Sequence, residues 1–99
     1  MASKQRAFSI FVDQHRAAIR ESERTGTHWV EVMRRHMLLS VDKITKVHDA
    51  QIAFATIMND SVKVHVTLSD EEYSDLLAWG KRLGIQRKHL AKAALLDLI

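Results

Sequence analysis

The sequence predicts a mainly helical chain that ends in one β-strand followed by two compact helices. Three observations support this fold class. Proline is absent and glycine occurs only 3 times in 99 residues, so few positions break a helix. Apolar residues recur largely at helical spacing from residue 5 to residue 58. From residue 62 the apolar period changes to two for one short segment, and helical spacing then resumes.

The composition is that of a folded protein with one small domain, or with two very small units that share a core. Hydrophobic residues make up 46% and charged residues 27% of the chain. The lack of cysteine excludes disulfides, thiolate zinc sites and thiol nucleophiles, which fits a reducing cytoplasm. No apolar run reaches the about 20 residues that span a bilayer, and the N-terminus does not resemble a signal peptide. The net charge of +3 permits nucleic-acid binding without requiring it.

The first predicted helix covers residues 5–24, where few residues break a helix and apolar positions recur at partly helical spacing. Gly26 suits the left-handed cap that ends such a helix. An alternative is a short strand over residues 7–12, because Phe8, Ile10 and Val12 alternate within it.

Two more helices are predicted before residue 60. One begins after Thr27, which can cap it, and another covers residues 41–58. Residues 19–32 resemble the first two helices of helix-turn-helix modules, in which a turn glycine precedes a capped helix with a buried tryptophan, here Trp29. Residues 1–60 are therefore expected to form a helical unit that is helix-turn-helix-like or serves assembly. No internal repeat is evident.

The second unit, residues 61–99, opens with a predicted strand. Its apolar residues point to one side: Val62, Val64, Val66 and Leu68. Its polar residues point to the other: Lys63, His65 and Thr67. One strand and two short helices enclose too little core to fold alone, so two copies of the chain are expected to pair their strands.

Two helices follow this strand. Ser69 and Glu72 have the spacing of a capping box, and the acidic first turn suits the positive end of the helix dipole. Gly84 ends the first helix, and Gln86 begins the second, whose apolar stripe contains several alanines.

Residues 62–99 resemble the ribbon-helix-helix family of DNA-binding proteins. The resemblance is carried by Val64-His65-Val66-Thr67-Leu68, Ser69-Asp70-Glu71, Leu76, Leu83-Gly84-Ile85, Arg87 and Leu90. It implies an obligate dimer in which one strand from each chain forms an antiparallel β-ribbon. It also implies that this ribbon enters the major groove of DNA, where its outward side chains contact the bases.

The resemblance assigns roles to three groups of residues. The base-reading side chains are Lys63, His65 and Thr67. The phosphate-binding residues, at the start of the second helix, are Gln86, Arg87 and Lys88. The dimer core consists of Val64, Val66, Leu68, Leu76, Leu83 and Leu90. The chain departs from the family pattern at Gln86, where a serine or threonine cap is usual, and at His89, where an acidic residue is common.

The expected function is sequence-specific binding of double-stranded DNA by a dimer, as a transcriptional repressor or as a plasmid maintenance or conjugative-transfer factor. Its expected location is the bacterial cytoplasm, associated with the nucleoid. Higher-order assembly on DNA and a protein partner for residues 1–60 remain options. Alternatives are an interaction adaptor that does not contact DNA, or an antitoxin. The sequence offers no nucleophile elbow, phosphate-binding glycine loop or metal-ligand set, so neither an enzyme, a metal nor a cofactor is expected.

Overall fold

The two strands of the protein lie side by side although they are far apart in the sequence. The computed structural model describes residues 3–98. In it, β1 (Ser3–Phe11) pairs antiparallel with β2 (Ser61–Ser69) along the whole length of both strands. Together they form a two-stranded sheet, here called the ribbon.

This pairing overturns the predicted fold class. The sequence predicted a helical unit followed by a strand that pairs with a second chain, whereas the partner strand belongs to the same chain. The described residues form a small α/β domain that is 67% helical. β1 replaces the start of the helix predicted over residues 5–24, because Phe8 and Ile10 point into the core at a spacing of two. The alternative of a strand over residues 7–12 was closer to the structure.

Within residues 3–98, five α-helices accompany the ribbon. They are α1 (Val12–Thr25), α2 (Trp29–Lys43), α3 (Asp49–Met58), α4 (Asp70–Leu83) and the short α5 (Leu90–Ala94). Single 3₁₀ turns flank α5 at Arg87–His89 and Leu96–Leu98. The helix predicted over residues 41–58 is wrong in its first half, because α2 runs on to Lys43 and residues 44–48 are not helical. None of the helices described here has the length and apolar character to cross a membrane.

Each strand begins the same succession of elements. β1 leads into α1 and β2 leads into α4, and both helices are 14 residues long. Both end at a left-handed glycine, Gly26 with φ 74° and Gly84 with φ 72°. A second helical segment then follows in each half. Each residue of the second half lies 58 positions (61 − 3) after a corresponding residue of the first, here called its counterpart, as Ser61 does after Ser3. The domain therefore contains two strand-helix-helix halves, the N-half (residues 3–43) and the C-half (residues 61–98).

The pairing of the ribbon obeys the same relation between the halves. Ser3 lies opposite Ser69, and Phe11 lies opposite Ser61. Exchanging each residue for its counterpart 58 positions away turns each of these two pairs into the other. The two halves are thus arranged like the two members of an approximately two-fold symmetric pair, although they belong to one chain.

The first helices of the two halves begin with the same backbone contact. In α4 the Glu72 N–H donates to Ser69 Oγ at 3.0 Å, and the Ser69 N–H donates to Glu72 Oε1 at 2.9 Å. In α1 the Phe11 N–H donates to Gln14 Oε1, also at 2.9 Å. Phe11 and Gln14 are the counterparts of Ser69 and Glu72, so α1 retains one half of the reciprocal cap. Phenylalanine has no side-chain acceptor with which to supply the other half.

The core lies between the inner face of the ribbon and the helices. Phe8 and Ile10 of β1 and Val64, Val66 and Leu68 of β2 are all at most 8% exposed and belong to one cluster. Counterparts from the helices are buried in the same cluster: Ala18 and Leu76, Val32 and Leu90, Met37 and Leu95.

The residues predicted to form a dimer core serve this single-chain core instead. Val64, Val66, Leu68, Leu76 and Leu90 are buried, and Leu83 packs against the cluster while remaining partly exposed. The ribbon between two chains that this core was expected to support was wrong, because β1 supplies the apolar surface that was expected from a second copy. Burial of each Val or Leu side chain contributes about 1.5–3 kcal/mol.

Residues 44–60, here called the connector, join the two halves and contain α3. The connector is held to the C-half by Trp79, whose Nε1–H donates to the Ile44 carbonyl at 2.8 Å. Its outward side exposes the large apolar residues Phe54, Ile57 and Met58, which are 65%, 81% and 66% exposed.

Candidate nucleic-acid interface

The side of the ribbon that faces away from the core carries all three predicted base-reading residues. Lys63, His65 and Thr67 are exposed and alternate with the buried residues of β2. They lie opposite three residues of β1. The six residues of this surface, here called the outer face, are Gln5, Ala7, Ser9, Lys63, His65 and Thr67.

The chemistry of the outer face is that of hydrogen-bond donors and acceptors on a flat support. Lys63 adds one positive charge, and none of the six residues is acidic. Ala7 and Ser9 are short, so the longer side chains of β2 stand above that part of β1. The face can therefore approach an extended polar surface without desolvating a carboxylate.

Arg6 lies between Gln5 and Ala7 of the outer face in the chain, but its side chain makes contacts elsewhere in the domain. Its guanidinium forms an ion pair with Asp70, with Nη2 2.7 Å from Oδ1, and lies 4.2 Å from the centroid of the Tyr73 ring. Only 20% of its side chain is exposed. Arg6 therefore ties β1 to the start of α4. This role could not be predicted from the sequence pattern, because residues 5–24 were predicted to be helical.

A groove separates β1 from the start of the second helical segment of the C-half. It has a volume of about 350 Å³ and is lined by Ser9, Tyr73, Arg87 and Lys88, among others. Arg87 and Lys88 are exposed, and Arg87 Nη2 donates to the Tyr73 hydroxyl at 3.3 Å. Two of the three predicted phosphate-binding side chains thus lie beside the β1 edge of the outer face.

Gln86, the third predicted phosphate-binding residue, instead contacts a carboxylate of the connector. The Gln86 N–H donates to Asp49 Oδ1 at 2.9 Å, and its Nε2 donates to Oδ2 at 2.7 Å. His89 Nδ1 lies 2.8 Å from Oδ1 of the same carboxylate. Asp49 therefore occupies the anion position at this helical end, so the Gln86 N–H is not free for a phosphate.

The electrostatics of Asp49 follow from these contacts. Partial burial opposes ionisation, but the hydrogen bonds from the Gln86 N–H, from His89 and from the Gln86 side chain outweigh it. Together they lower the pKa of Asp49 to about 2. The contact could not be predicted, because Asp49 and Gln86 are 37 residues apart and belong to different units in the sequence pattern.

Within the part of the chain that the structure describes, no three His, Asp or Glu side chains converge in a way that could hold a metal ion. No protein-family model matches the chain, and comparisons with curated proteins and with solved structures gave no significant match. The function is therefore inferred from the geometry of the outer face and from the residues around it.

Proposed function

We propose that the protein binds double-stranded DNA in a sequence-specific manner, with the outer face of the ribbon in the major groove. The observation that carries this proposal is the two-stranded ribbon with a buried apolar side and an exposed side without acidic residues. The major groove of B-DNA admits a two-stranded β-ribbon. The resemblance of residues 62–99 to the ribbon-helix-helix family supports the same function, with the difference that residues 3–11 supply the second strand.

The residues of the outer face suit the edges of base pairs. Lys63 can donate to guanine O6 and N7, and Gln5 can form a bidentate contact with adenine. The Thr67 hydroxyl can donate or accept, and its methyl group can contact thymine. His65 can donate or accept according to its tautomer. Gln5 is an addition to the predicted base-reading residues, because the sequence pattern placed it in a helix.

Arg87 and Lys88 are proposed to contact the DNA backbone. Both are exposed beside the β1 edge of the outer face, where a phosphate strand would flank a ribbon seated in the groove. Such contacts set the position of a protein on the duplex without reading its sequence. The net charge of +3 favours the same partner.

A single chain completes the ribbon, so binding through the outer face does not require a second copy. We propose a role as a transcriptional repressor or as a plasmid maintenance or conjugative-transfer factor of the bacterial nucleoid. The alternative role is that of an antitoxin that binds DNA through the same outer face.

A second candidate is a protein-interaction adaptor that does not contact DNA. It is favoured by α3, which exposes Phe54, Ile57 and Met58 in one short helix. Exposed apolar groups that adjoin one another are typical of surfaces that bind other proteins.

Titration of a fluorescent duplex of random sequence tests the DNA proposal. Affinity is expected to fall steeply between about 50 and 200 mM salt, because neutralised phosphates release counterions. Replacing Arg87 and Lys88 together with alanine should lower the slope of log affinity against log salt by about two. Lys43→Ala, at the exposed end of α2, is the matched control and should reduce the slope less. No detectable binding at low salt would contradict the DNA proposal and favour the adaptor.

A further inference from the structure

Lys92 of α5 is a buried lysine that has no acidic partner among the residues that the structure describes. The residue is only 2% exposed. Its Nζ donates to Thr56 Oγ1 at 3.1 Å and lies 4.9 Å from the centroid of the Phe11 ring. Among residues 3–98, no carboxylate forms an ion pair with it. A hydroxyl and an aromatic ring offset only part of the cost of removing an ammonium group from water.

The surroundings of Lys92 act against its positive charge. Burial lowers the pKa of Lys92, and the nearby charge of Lys88 lowers it further. A buried charge that lacks a partner destabilises the fold, whereas an anion next to it would favour the ionised form. The site therefore favours a negatively charged ligand.

A shallow depression opens next to this ammonium group. It has a volume of about 340 Å³ and is lined by Ser9, Thr56, Ser61, Lys88, His89 and Lys92. These residues supply two ammonium groups, an imidazole and the hydroxyls of Ser9 and Ser61, and none supplies a carboxylate. Asp49 contacts His89 but does not itself line the depression. Several donors around a concave surface suit a tetrahedral oxyanion with many acceptor sites.

We propose that Lys92 and Lys88 bind a phosphate group in this depression, with Ser9 and Ser61 as hydroxyl donors. Thr56 donates to the Ile52 carbonyl at 2.7 Å and accepts from Lys92, so it positions the ammonium group. Ser9 also belongs to the outer face, and Lys88 also lines the groove beside β1. A backbone phosphate of DNA seated on the ribbon could therefore supply the group, and so could a free phosphate. The DNA source rests on the proposed function, whereas the site itself does not.

Inorganic phosphate is the probe that tests the site without DNA. In wild-type protein, adding phosphate should shift the amide resonances of Thr56, Lys88 and Lys92, and sodium chloride of equal ionic strength should not. Phosphate should also raise the thermal unfolding midpoint of the wild type more than that of Lys92→Met, since general salt effects act on both proteins alike. Equal effects of the two salts, or shifts spread evenly over exposed lysines, would overturn the proposal.

Two substitutions sharpen the test. Lys92→Met keeps an unbranched chain of similar length and should weaken phosphate binding by at least about tenfold. Thr56→Val keeps the lysine, removes the hydroxyl and should weaken binding severalfold. Lys81→Met is the matched control, because Lys81 is exposed and does not line the depression, so its phosphate affinity should stay that of wild type. Wild-type phosphate affinity in a folded Lys92→Met variant would overturn the proposal.

A competition experiment identifies the source of the phosphate group. If a short duplex displaces inorganic phosphate, the site binds a backbone phosphodiester. If phosphate binds and the duplex does not displace it, the site takes free phosphate. Both results uphold the anion site. Because the phosphate titration contains no DNA, failure of the site and failure of DNA binding can be told apart.

Discussion

Ala7 lies directly opposite His65 in the ribbon, and His65 is also the counterpart of Ala7 in the C-half. The centre of the approximate two-fold arrangement therefore lies between two different residues. Two further pairs of counterparts on the outer face differ as well: Gln5 and Lys63, and Ser9 and Thr67. A ribbon built from two identical chains presents the same side chains on both sides of its centre. This single-chain ribbon does not.

The completed ribbon leads to a prediction about assembly. Because both strands come from one chain, the thermal unfolding midpoint should not change over an about 100-fold range of protein concentration. The midpoint of an obligate dimer rises with concentration. Circular dichroism measured at several concentrations distinguishes the two cases.

The exposed side of α3 requires a control in this experiment, since it could cause association of its own. Ile57 is 81% exposed, so Ile57→Asp should leave the fold intact and suppress apolar self-association. A midpoint that rises with concentration in both wild type and Ile57→Asp would contradict a ribbon completed within one chain.

The strand and the first helix of the C-half could be predicted from the sequence because their signals are local. The second predicted helix was wrong in extent, since only the five-residue α5 is α-helical between two 3₁₀ turns. The strand alternates without interruption, and Ser69 and Glu72 form the expected cap. Gly84 ends the following helix in the left-handed conformation. Each of these features depends on residues close together in the chain, which a sequence pattern records directly.

The strand of the N-half and the start of α1 could not be predicted because their signals are weakened, whereas the left-handed cap at Gly26 was predicted correctly. Arg6 takes an inward register position opposite Val66, which breaks the alternation that marks a strand. Phe11 stands where the C-half has its capping serine, so the start of α1 is not marked. Between residues 3–40 and 61–98 only four counterparts are identical: Ser3 and Ser61, Arg24 and Arg82, Gly26 and Gly84, Leu38 and Leu96.

The residues of the candidate site likewise include some that could be predicted from the sequence and one that could not. The exposure of Lys63, His65 and Thr67 follows from the period of β2 and could be predicted. The placement of Gln5 beside them depends on pairing between distant segments, for which the sequence carries no local signal.

The left-handed glycines lead to a prediction about stability. An added Cβ at Gly26 or Gly84 would meet no atom within 4 Å, so the cost of alanine there is conformational. Gly26→Ala and Gly84→Ala should each lower the free energy of unfolding by about 1 kcal/mol, because positive φ disfavours residues with a Cβ. Gly84→Asn should cost less, since asparagine tolerates this conformation. Urea denaturation measures the differences. Equal losses for alanine and asparagine would show that φ is not the cause.

The Asp49 carboxylate leads to a prediction about pH. Its pKa is about 2 in the folded protein and 3.8 in its ordinary state. The depressed pKa stabilises the fold above about pH 4, by about 2 kcal/mol, and this contribution is lost as the pH falls towards 2. Asp49→Asn should therefore be less stable than wild type at pH 7, and the gap should narrow between pH 4 and pH 2. Asp42→Asn, an exposed position on α2, is the control. A gap that does not change with pH would contradict the assigned role of the carboxylate.

The unlike sides of the outer face lead to a prediction about the DNA target, which rests on the proposed function. Selection from random duplexes should yield a site that is not palindromic, because Gln5 and Lys63 occupy equivalent positions and contact different bases. Lys63→Ala should lose about 1–3 kcal/mol of discrimination at one side of the site, and Gln5→Ala should lose it at the other. Lys43→Ala should leave the preferred sequence unchanged. Selection of a palindrome would mean that two chains bind together, each with half of the contacts. The two substitutions would then alter both sides of the site alike, so the pattern of lost positions distinguishes a single-chain reader from a pair.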